Sequence, residues 1–285
     1  MQKRQTVSQH KANPILRFLY GTFIGRGILK ILTFPIISRA VGHILDSPLS
    51  VCLIPGMVKR NNIDLSEYED KKYESFNDFF TRKIKRSNRE FDREPKSFVS
   101  PCDAKLSVYN IDEKSVFKIK DSYYTVDDLL DGDISAPEYE GGLCMIFRLC
   151  VDDYHRYFYV DDCYEDGYRF IKGELHTVQP IAFEHYNVYK RNAREYTVLL
   201  TENFGTIIQV EVGALLVGKI SNIHSGGKQL RGYEKGMFEF GGSTIVLLVK
   251  KDTVIIDEEI VNNSNSNIET VVKAGERIGR VKEKV

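Results

Sequence analysis

The stretch Phe238–Leu248, FEFGGSTIVLL, places two glycines and two small hydroxyl residues directly before an unbroken apolar run. A short apolar run bounded by glycines predicts a buried strand that follows a tight turn. On composition alone, this turn explains Gly241 and Gly242. The sharper interpretation, a reactive hydroxyl on Ser243, requires residues from elsewhere in the chain.

Short β-type runs dominate the sequence after Ser100-Pro101, and Gly, Asn and Asp separate many of them. Ile208, Val210 and Val212 alternate with Gln209 and Glu211, as in a half-buried strand. We therefore predict an α+β fold that is mainly β, with antiparallel or mixed, barrel-sandwich-like sheets and N-terminal amphipathic helices. A polar loop is expected at 262–267, and strands are predicted at Met145–Val151, Tyr196–Thr201, Thr206–Val212, Leu215–Ile220, Thr244–Val249 and Thr253–Val261.

The N-terminal segment is basic and apolar, although the whole chain has a formal net charge of zero. Residues 1–60 hold nine Lys or Arg and a single acid, Asp46. Residues 14–58 repeat apolar side chains at helical spacing, but no uninterrupted run reaches the roughly 20 residues that span a bilayer. These helices either lie on a membrane or pack on the core; the coincidence of charge and apolar character favours the membrane. We divide the chain into a membrane-associating segment, 1–62, and a body, 63–285.

One amphipathic patch stands out in the polar region that follows this segment. Phe76, Phe79 and Phe80 share one face of a short helix, and Ser75 is predicted to cap its N-terminus. The patch therefore predicts a helix that packs against the body through aromatic side chains.

The cysteines and the basic residues exclude several classes of protein. The five cysteines are odd in number and lack the CxxC spacing, which indicates reduced thiols in a cytosolic setting and no zinc site. No cleavable signal sequence is expected at the N-terminus. The basic residues stand among aliphatic side chains, so nucleic acid is not expected as a partner.

Three separate positions supply an acid, a base and a hydroxyl. Asp103 follows Pro101 at a predicted strand start, and His155 belongs to the dense polar group Asp152–Tyr157. With Ser243 they are the parts of a hydrolase-like triad. Each also has an ordinary explanation, since Asp103 could cap a turn and His155 could lie in a surface loop.

The sequence resembles the phosphatidylserine decarboxylase family over about residues 70–280. The glycine–serine site, the Asp-Tyr-His-Arg box and the Val-Gly-Ala strand are specific when they occur together and in order. The matching segments are Ser75–Lys85, Ser100–Ser107, Asp152–Tyr157, Gly173–Leu175, Ala193–Tyr196, Val212–Ser221 and Glu234–Thr244.

This resemblance implies a self-processing proenzyme. The chain would cut itself between Gly242 and Ser243 into a β chain, 1–242, and an α chain, 243–285, which remain together. Ser243 would become a covalent pyruvoyl group, which decarboxylates phosphatidylserine to phosphatidylethanolamine through a Schiff base, with no metal or diffusible cofactor. His155 would act as the base, and Asp103 would hold its imidazole in the required tautomer.

The sequence departs from the family pattern at two positions. Phe158 stands where a second histidine is often found, and Ala104 where a glycine often follows the aspartate. Either His155 performs both proton transfers or another residue, such as His224, performs one of them. The alternatives are a non-enzymatic membrane-binding protein that kept the fold and a carrier of a lysine-attached group, suggested by the closing segment Lys273–Gly279.

The resemblance and the basic N-terminus together also predict partners and location. We expect phosphatidylserine as substrate and an anionic phospholipid membrane as partner, with the protein peripheral on the cytoplasmic face of a bacterial-type cell membrane. The oligomeric state beyond the two processed chains is left open.

Overall fold

A computed structural model describes residues 3–7, 14–119, 122–215, 219–223, 226–241 and 243–283. Gly242 of the predicted cleavage site and His224 lie outside the described residues. Residues 216–218, the middle of the predicted strand Leu215–Ile220, also lie outside them.

Strands and short helices alternate through the body, after a run of helices at the N-terminus. The helices are α1 (Pro14–Gly21), α2 (Phe23–Leu32), α3 (Pro35–Leu45), α4 (Ile54–Asn61), α5 (Phe76–Phe80), α6 (Val126–Leu130), α7 (Pro180–Phe183), α8 (Val188–Arg191) and α9 (Glu258–Asn265). The strands are β1 (Thr6–Val7), β2 (Ser97–Val99), β3 (Ala104–Asn110), β4 (Val116–Ile119), β5 (Ser122–Thr125), β6 (Leu143–Leu149), β7 (Arg156–Phe158), β8 (Cys163–Ile171), β9 (Arg194–Thr201), β10 (Gly205–Val212), β11 (Ile220–Asn222), β12 (Gly227–Gln229), β13 (Glu234–Phe238), β14 (Ser243–Val249), β15 (Val254–Ile256), β16 (Glu269–Val272) and β17 (Arg277–Val281).

A large antiparallel sheet forms the centre of the described structure, in the order β1-β16-β3-β6-β14-β10-β9-β8-β12. Strand β14 lies in its middle, and all seven of its residues are buried, which explains its unbroken apolar run. It pairs with β6 through Ser243 and Leu149 and with β10 through Thr244 and Val212. This register fixes where Ser243 lies in the molecule.

The predicted fold class is confirmed, because large antiparallel sheets form the body and helices lead the chain. The described residues also form two smaller three-stranded sheets, β11-β13-β7 and β15-β17-β2. The predicted strands around 145, 196, 206 and 244 correspond to β6, β9, β10 and β14.

The strand predicted over Thr253–Val261 is correct only as far as Ile256, and the prediction of a polar loop at 262–267 was wrong. Strand β15 ends at Ile256, and helix α9 occupies Glu258–Asn265. Two acids in the first turn favour a helix N-terminus. The helix is fixed by Ser264, whose hydroxyl donates to the Ile260 carbonyl at 2.8 Å and accepts from Val108 N–H at 2.9 Å.

The N-terminal helices pack on the body through one face and expose the other. Leu19, Tyr20 and Leu29 are buried in the main core, and the Tyr20 hydroxyl accepts from Thr177 N–H at 3.0 Å. Among the described helices, none alone has the length and apolar character to cross a membrane. Helices α2 and α3 meet these criteria only as a pair, bent by 68°.

Candidate active site

Ser243 is the first residue of β14, and its side chain is fully buried. The backbone before Ser243 includes Gly241, whose φ of +128° lies in a region that residues with L side chains rarely adopt. A glycine is therefore required there by the backbone itself. The turn ends next to Leu149, the last residue of β6 and the register partner of Ser243.

His155 lies in the connection that follows β6, and both of its ring nitrogens are engaged. Nδ1 lies 3.5 Å from Ser243 Oγ, and Nε2 lies 2.9 Å from the backbone oxygen of Cys150. A carbonyl oxygen only accepts, so Nε2 carries the proton and Nδ1 is the acceptor facing the serine hydroxyl. The backbone of His155 is held by Phe238, whose N–H donates to its carbonyl at 2.9 Å.

A buried ion pair shapes the turn that presents the Cys150 carbonyl. Asp153 accepts from Cys150 N–H at 2.7 Å and from Lys105 Nζ at 2.6 and 2.8 Å. Burial alone would lower the pKa of Lys105, but the charge of Asp153 raises it above its ordinary value. Lys105 on β3 thus fixes the turn and, through it, the imidazole.

The same turn also brings a group of potential metal ligands together. Ligand atoms of Cys150, Asp152 and Asp153 lie within 4.8 Å of one another. However, Lys105 forms an ion pair with Asp153, and Arg148 Nη1 lies 3.0 Å from Cys150 Sγ. These two positive side chains oppose the binding of a cation here.

The environment of His155 keeps the imidazole neutral. Its pKa is lowered to about 3, first because the ring is fully buried and second because of the positive charge of Arg82. Arg82 is 2% exposed, lies over the rings of Tyr68 and Phe79, and has its Nε without a partner among the described residues. A neutral imidazole with an unprotonated nitrogen facing the hydroxyl is the form that a general base requires.

Helix α5, the predicted amphipathic patch, covers the site. The side chain of Ser75 accepts from Asp78 N–H, which confirms the predicted N-cap. The ring of Phe80 stacks on His155 with centroids 4.1 Å apart. Asn77 accepts from Phe240 N–H at 3.0 Å and thereby anchors the segment just before the two glycines.

The structure places Asp103 in a different role from the predicted one. Its carboxylate binds Arg89 at 2.6 and 3.0 Å, Lys273 at 3.0 Å and the N–H of Ala274 at 2.9 Å. Burial alone would raise the pKa of Asp103, but Arg89 and Lys273 hold it below its ordinary value. The orienting bond expected from Asp103 to His155 is instead made by the Cys150 carbonyl.

Sequence reasoning found Ser243 and His155 but missed the groups that position them. Asn77, Phe80 and Arg82 belong to one segment that was predicted as an aromatic packing patch and as part of the family resemblance, with no role given to these three residues. Phe158, at the position where a second histidine is often found, packs its ring against Phe91 with centroids 5.1 Å apart. The amphipathic spacing of the phenylalanines in helix α5 was the available signal in the sequence. It predicts that the helix packs on the body, but it does not show which residues the helix covers.

A buried hydroxyl facing a neutral imidazole is the arrangement that an enzyme with a nucleophilic serine and a histidine base requires. The chain matches the phosphatidylserine decarboxylase family profile over residues 76–280. The chain belongs to the phosphatidylserine decarboxylase family and is an enzyme of the decarboxylase class.

Its relatives match it over most of their length. It is 48% identical to phosphatidylserine decarboxylase proenzyme 2 of Clostridium acetobutylicum over 268 residues, which are 94% of this chain and 92% of that protein. It is 40% identical to a phosphatidylserine decarboxylase proenzyme of Ruminiclostridium cellulolyticum, over 97% of this chain and 94% of the relative. A Clostridium perfringens proenzyme is 38% identical, over 97% and 96%.

Proposed function

We propose that this chain is a precursor that cuts itself before Ser243 and then converts phosphatidylserine to phosphatidylethanolamine. The observation that carries this proposal is the contact between the buried Ser243 hydroxyl and the acceptor nitrogen of His155. The relatives are named as proenzymes of phosphatidylserine decarboxylase, which supports both the processing and the substrate.

The first step is an attack of the serine on the peptide bond that precedes it. His155 Nδ1 takes the proton of Ser243 Oγ, and the oxygen adds to the carbonyl carbon of Gly242. The bond from this carbon to the Ser243 nitrogen then breaks, which leaves an ester and a free amine. The positive φ of Gly241 supports the step, because a backbone in an uncommon conformation is one way to bring a hydroxyl onto the preceding carbonyl.

The second step separates the two chains. Removal of the α proton of residue 243 expels Gly242 as a free carboxylate and leaves a double bond at residue 243. Tautomerisation and addition of water release ammonia and leave a pyruvoyl group. The products are a β chain, 1–242, and an α chain, 243–285, which remain associated because β14 is paired with β6 and β10 on both sides.

The residues around position 243 fit this covalent group. The position is buried, begins a strand and faces the imidazole of His155. When formed, a pyruvoyl group supplies an electrophilic carbonyl that takes the substrate amine and accepts the electrons released with carbon dioxide. His155 is placed to move a proton at the substrate carbon that loses its carboxylate, so we assign it both proton transfers.

The N-terminal helices supply a surface that suits a membrane. Large apolar side chains point outward along α1 to α3 and the 3-10 helix that follows, including Phe23 at 86% and Leu49 at 86% exposure. Cations on the same segment, among them Arg17, Arg26 and Lys30, favour anionic lipid. We therefore propose a peripheral protein on the cytoplasmic face of the cell membrane.

The alternative is a membrane-binding protein that kept the fold and lost the chemistry, and Phe158 is the observation in its favour. Purified protein incubated with phosphatidylserine separates the two. We expect phosphatidylethanolamine and carbon dioxide from the natural sequence and neither from Ser243→Ala. Vesicle binding by an uncut natural chain without any conversion would favour the alternative.

A further inference from the structure

A pocket of about 350 Å³ lies between the start of helix α3 and the edge of the body. Pro35 lines it from the helix, while Phe170, Leu175 and Ile220 line it from the body. These side chains give the pocket an apolar wall, and its helical side belongs to the segment whose outer face is exposed and apolar.

Two of the residues that line this pocket lie next to the end of strand β10, which pairs with the strand that carries Ser243. Ala193 and Gly213 both line the pocket, and Gly213 N–H donates to the Ala193 carbonyl at 2.9 Å. Gly213 directly follows Val212, which pairs with Thr244, the neighbour of Ser243. A molecule that contacts Gly213 therefore lies one residue beyond the last pair of strands β10 and β14, and β14 begins with Ser243.

Three cations line the pocket, and none of its described lining residues is acidic. Lys219 is paired with Glu239 at 2.8 Å. Arg39 and Lys172 are exposed, and within the described residues neither has an ion-pair partner. An apolar pocket with unpaired cations suits a ligand that is both anionic and amphipathic.

We propose that Arg39 and Lys172 bind the phosphodiester of the phospholipid substrate in this pocket. This assignment rests on the proposed function, since it takes phosphatidylserine as the ligand. The serine end of the headgroup would extend past Gly213 toward position 243. The glycerol and acyl chains would leave along Pro35 toward the exposed apolar face of the N-terminal helices. Charge-assisted contacts to phosphate give Arg and Lys their usual role in such a site.

The test uses the double variant Arg39→Gln/Lys172→Gln in mixed micelles of a neutral detergent. We expect normal self-cleavage, a KM for phosphatidylserine that rises about tenfold, and a kcat within about twofold of the natural value. Arg93→Gln/Lys72→Gln removes the same charge at exposed positions outside the pocket and serves as the matched control. Equal KM values for the double variant and the natural protein would overturn the assignment.

A binding measurement separates this inference from the proposed catalysis. The uncut Ser243→Ala protein is titrated calorimetrically with dihexanoyl phosphatidylserine below its critical micelle concentration, and separately with inorganic phosphate. We expect the short lipid to bind roughly tenfold more weakly when Arg39 and Lys172 are also replaced. Inorganic phosphate that binds as tightly as the lipid would identify a free-phosphate site and overturn the lipid assignment. If the lipid binds as expected but the natural protein does not convert phosphatidylserine, the proposed function is wrong and the lipid-binding site stands.

Discussion

The hydroxyl of Ser243 lies 3.5 Å from Nδ1 of His155, and both side chains are fully buried. The Cys150 carbonyl holds the other nitrogen of the same ring at 2.9 Å and so fixes its tautomer. A backbone carbonyl therefore orients the imidazole, as a carboxylate does in serine proteases. The consequence is a base that is neutral and correctly protonated before any substrate arrives.

Replacing His155 should slow self-cleavage severely. We expect His155→Ala precursor to accumulate, with a cleavage rate about 10²- to 10⁴-fold lower, because the general base is lost. Gel electrophoresis of precursor made by cell-free synthesis follows the conversion. The exposed His43 on α3 offers the control His43→Ala, which should cleave normally. A natural cleavage rate in His155→Ala would remove His155 from this role.

Arg82 should control the pH range over which His155 works. Its positive charge lowers the pKa of the buried imidazole in addition to burial. In Arg82→Gln the pKa of His155 should rise, while burial still holds it below its ordinary value, so cleavage should begin to slow at a higher pH on acidification than in the natural precursor. Arg82→Lys keeps the charge and should keep the natural profile. Identical pH profiles for both variants would show that Arg82 acts only through packing.

The buried imidazole should also make stability depend on pH. The unfolded chain binds a proton on His155 as the pH falls through 6.5, whereas the folded chain resists until its pKa of about 3. Between these values the unfolded state holds more protons, so stability falls on acidification by up to about 1.4 kcal/mol per pH unit. Urea unfolding of uncut Ser243→Ala measures this slope. Adding His155→Gln should reduce the slope, and adding His43→Gln should leave it unchanged.

Asp103 should matter more for stability than for the proton transfer. Asp103→Asn leaves Arg89 and Lys273 facing a neutral amide, and breaking a buried ion pair costs about 3 kcal/mol or more. We expect a lower midpoint in denaturant, with cleavage of the folded precursor slowed less than in His155→Ala. If Asp103→Asn stops cleavage without loss of stability, the carboxylate acts directly on the imidazole and the Cys150 carbonyl does not suffice.

The exposed apolar face should determine binding to membranes. Phe23→Glu replaces an 86% exposed ring with a charge, and we expect it to weaken binding to phosphatidylserine-containing vesicles by roughly tenfold or more. Sedimentation with vesicles measures this directly. Ile255→Glu, at a 41% exposed position on β15, is the matched control on the body. Equal loss in both variants would mean that the helices have no special part in binding.

The sequence predicted the central strand from a local pattern and the serine–histidine pair from motifs of the family it resembles. The run after Ser243 is apolar throughout, as expected for a strand buried on both faces. Of the two glycines before it, Gly241 has a backbone reason, which is its positive φ. The pairing of Ser243 with His155 spans 88 residues and rested on the family motifs rather than on spacing.

The remaining parts of the site depend on long-range contacts that local patterns do not contain. Asp103 was expected beside His155, but its partners come from distant loops that carry Arg89 and Lys273. The Cys150 carbonyl is a backbone group, so the identity of the residue does not indicate that it orients the imidazole of His155. Helix α9 was missed because the tertiary contact of Ser264 with β3 outweighs the low helix propensity of an Asn-rich segment.

The intact mass of the purified natural protein shows whether the chain cuts itself before Ser243. Self-cleavage predicts two fragments, one ending at Gly242 and one running from position 243 to Val285, the second lacking an α-amine and therefore resistant to N-terminal sequencing. Ser243→Ala should give one species at the full 32.7 kDa, less one oxygen. A natural protein that is folded, active on phosphatidylserine and still a single chain of 32.7 kDa would contradict the account.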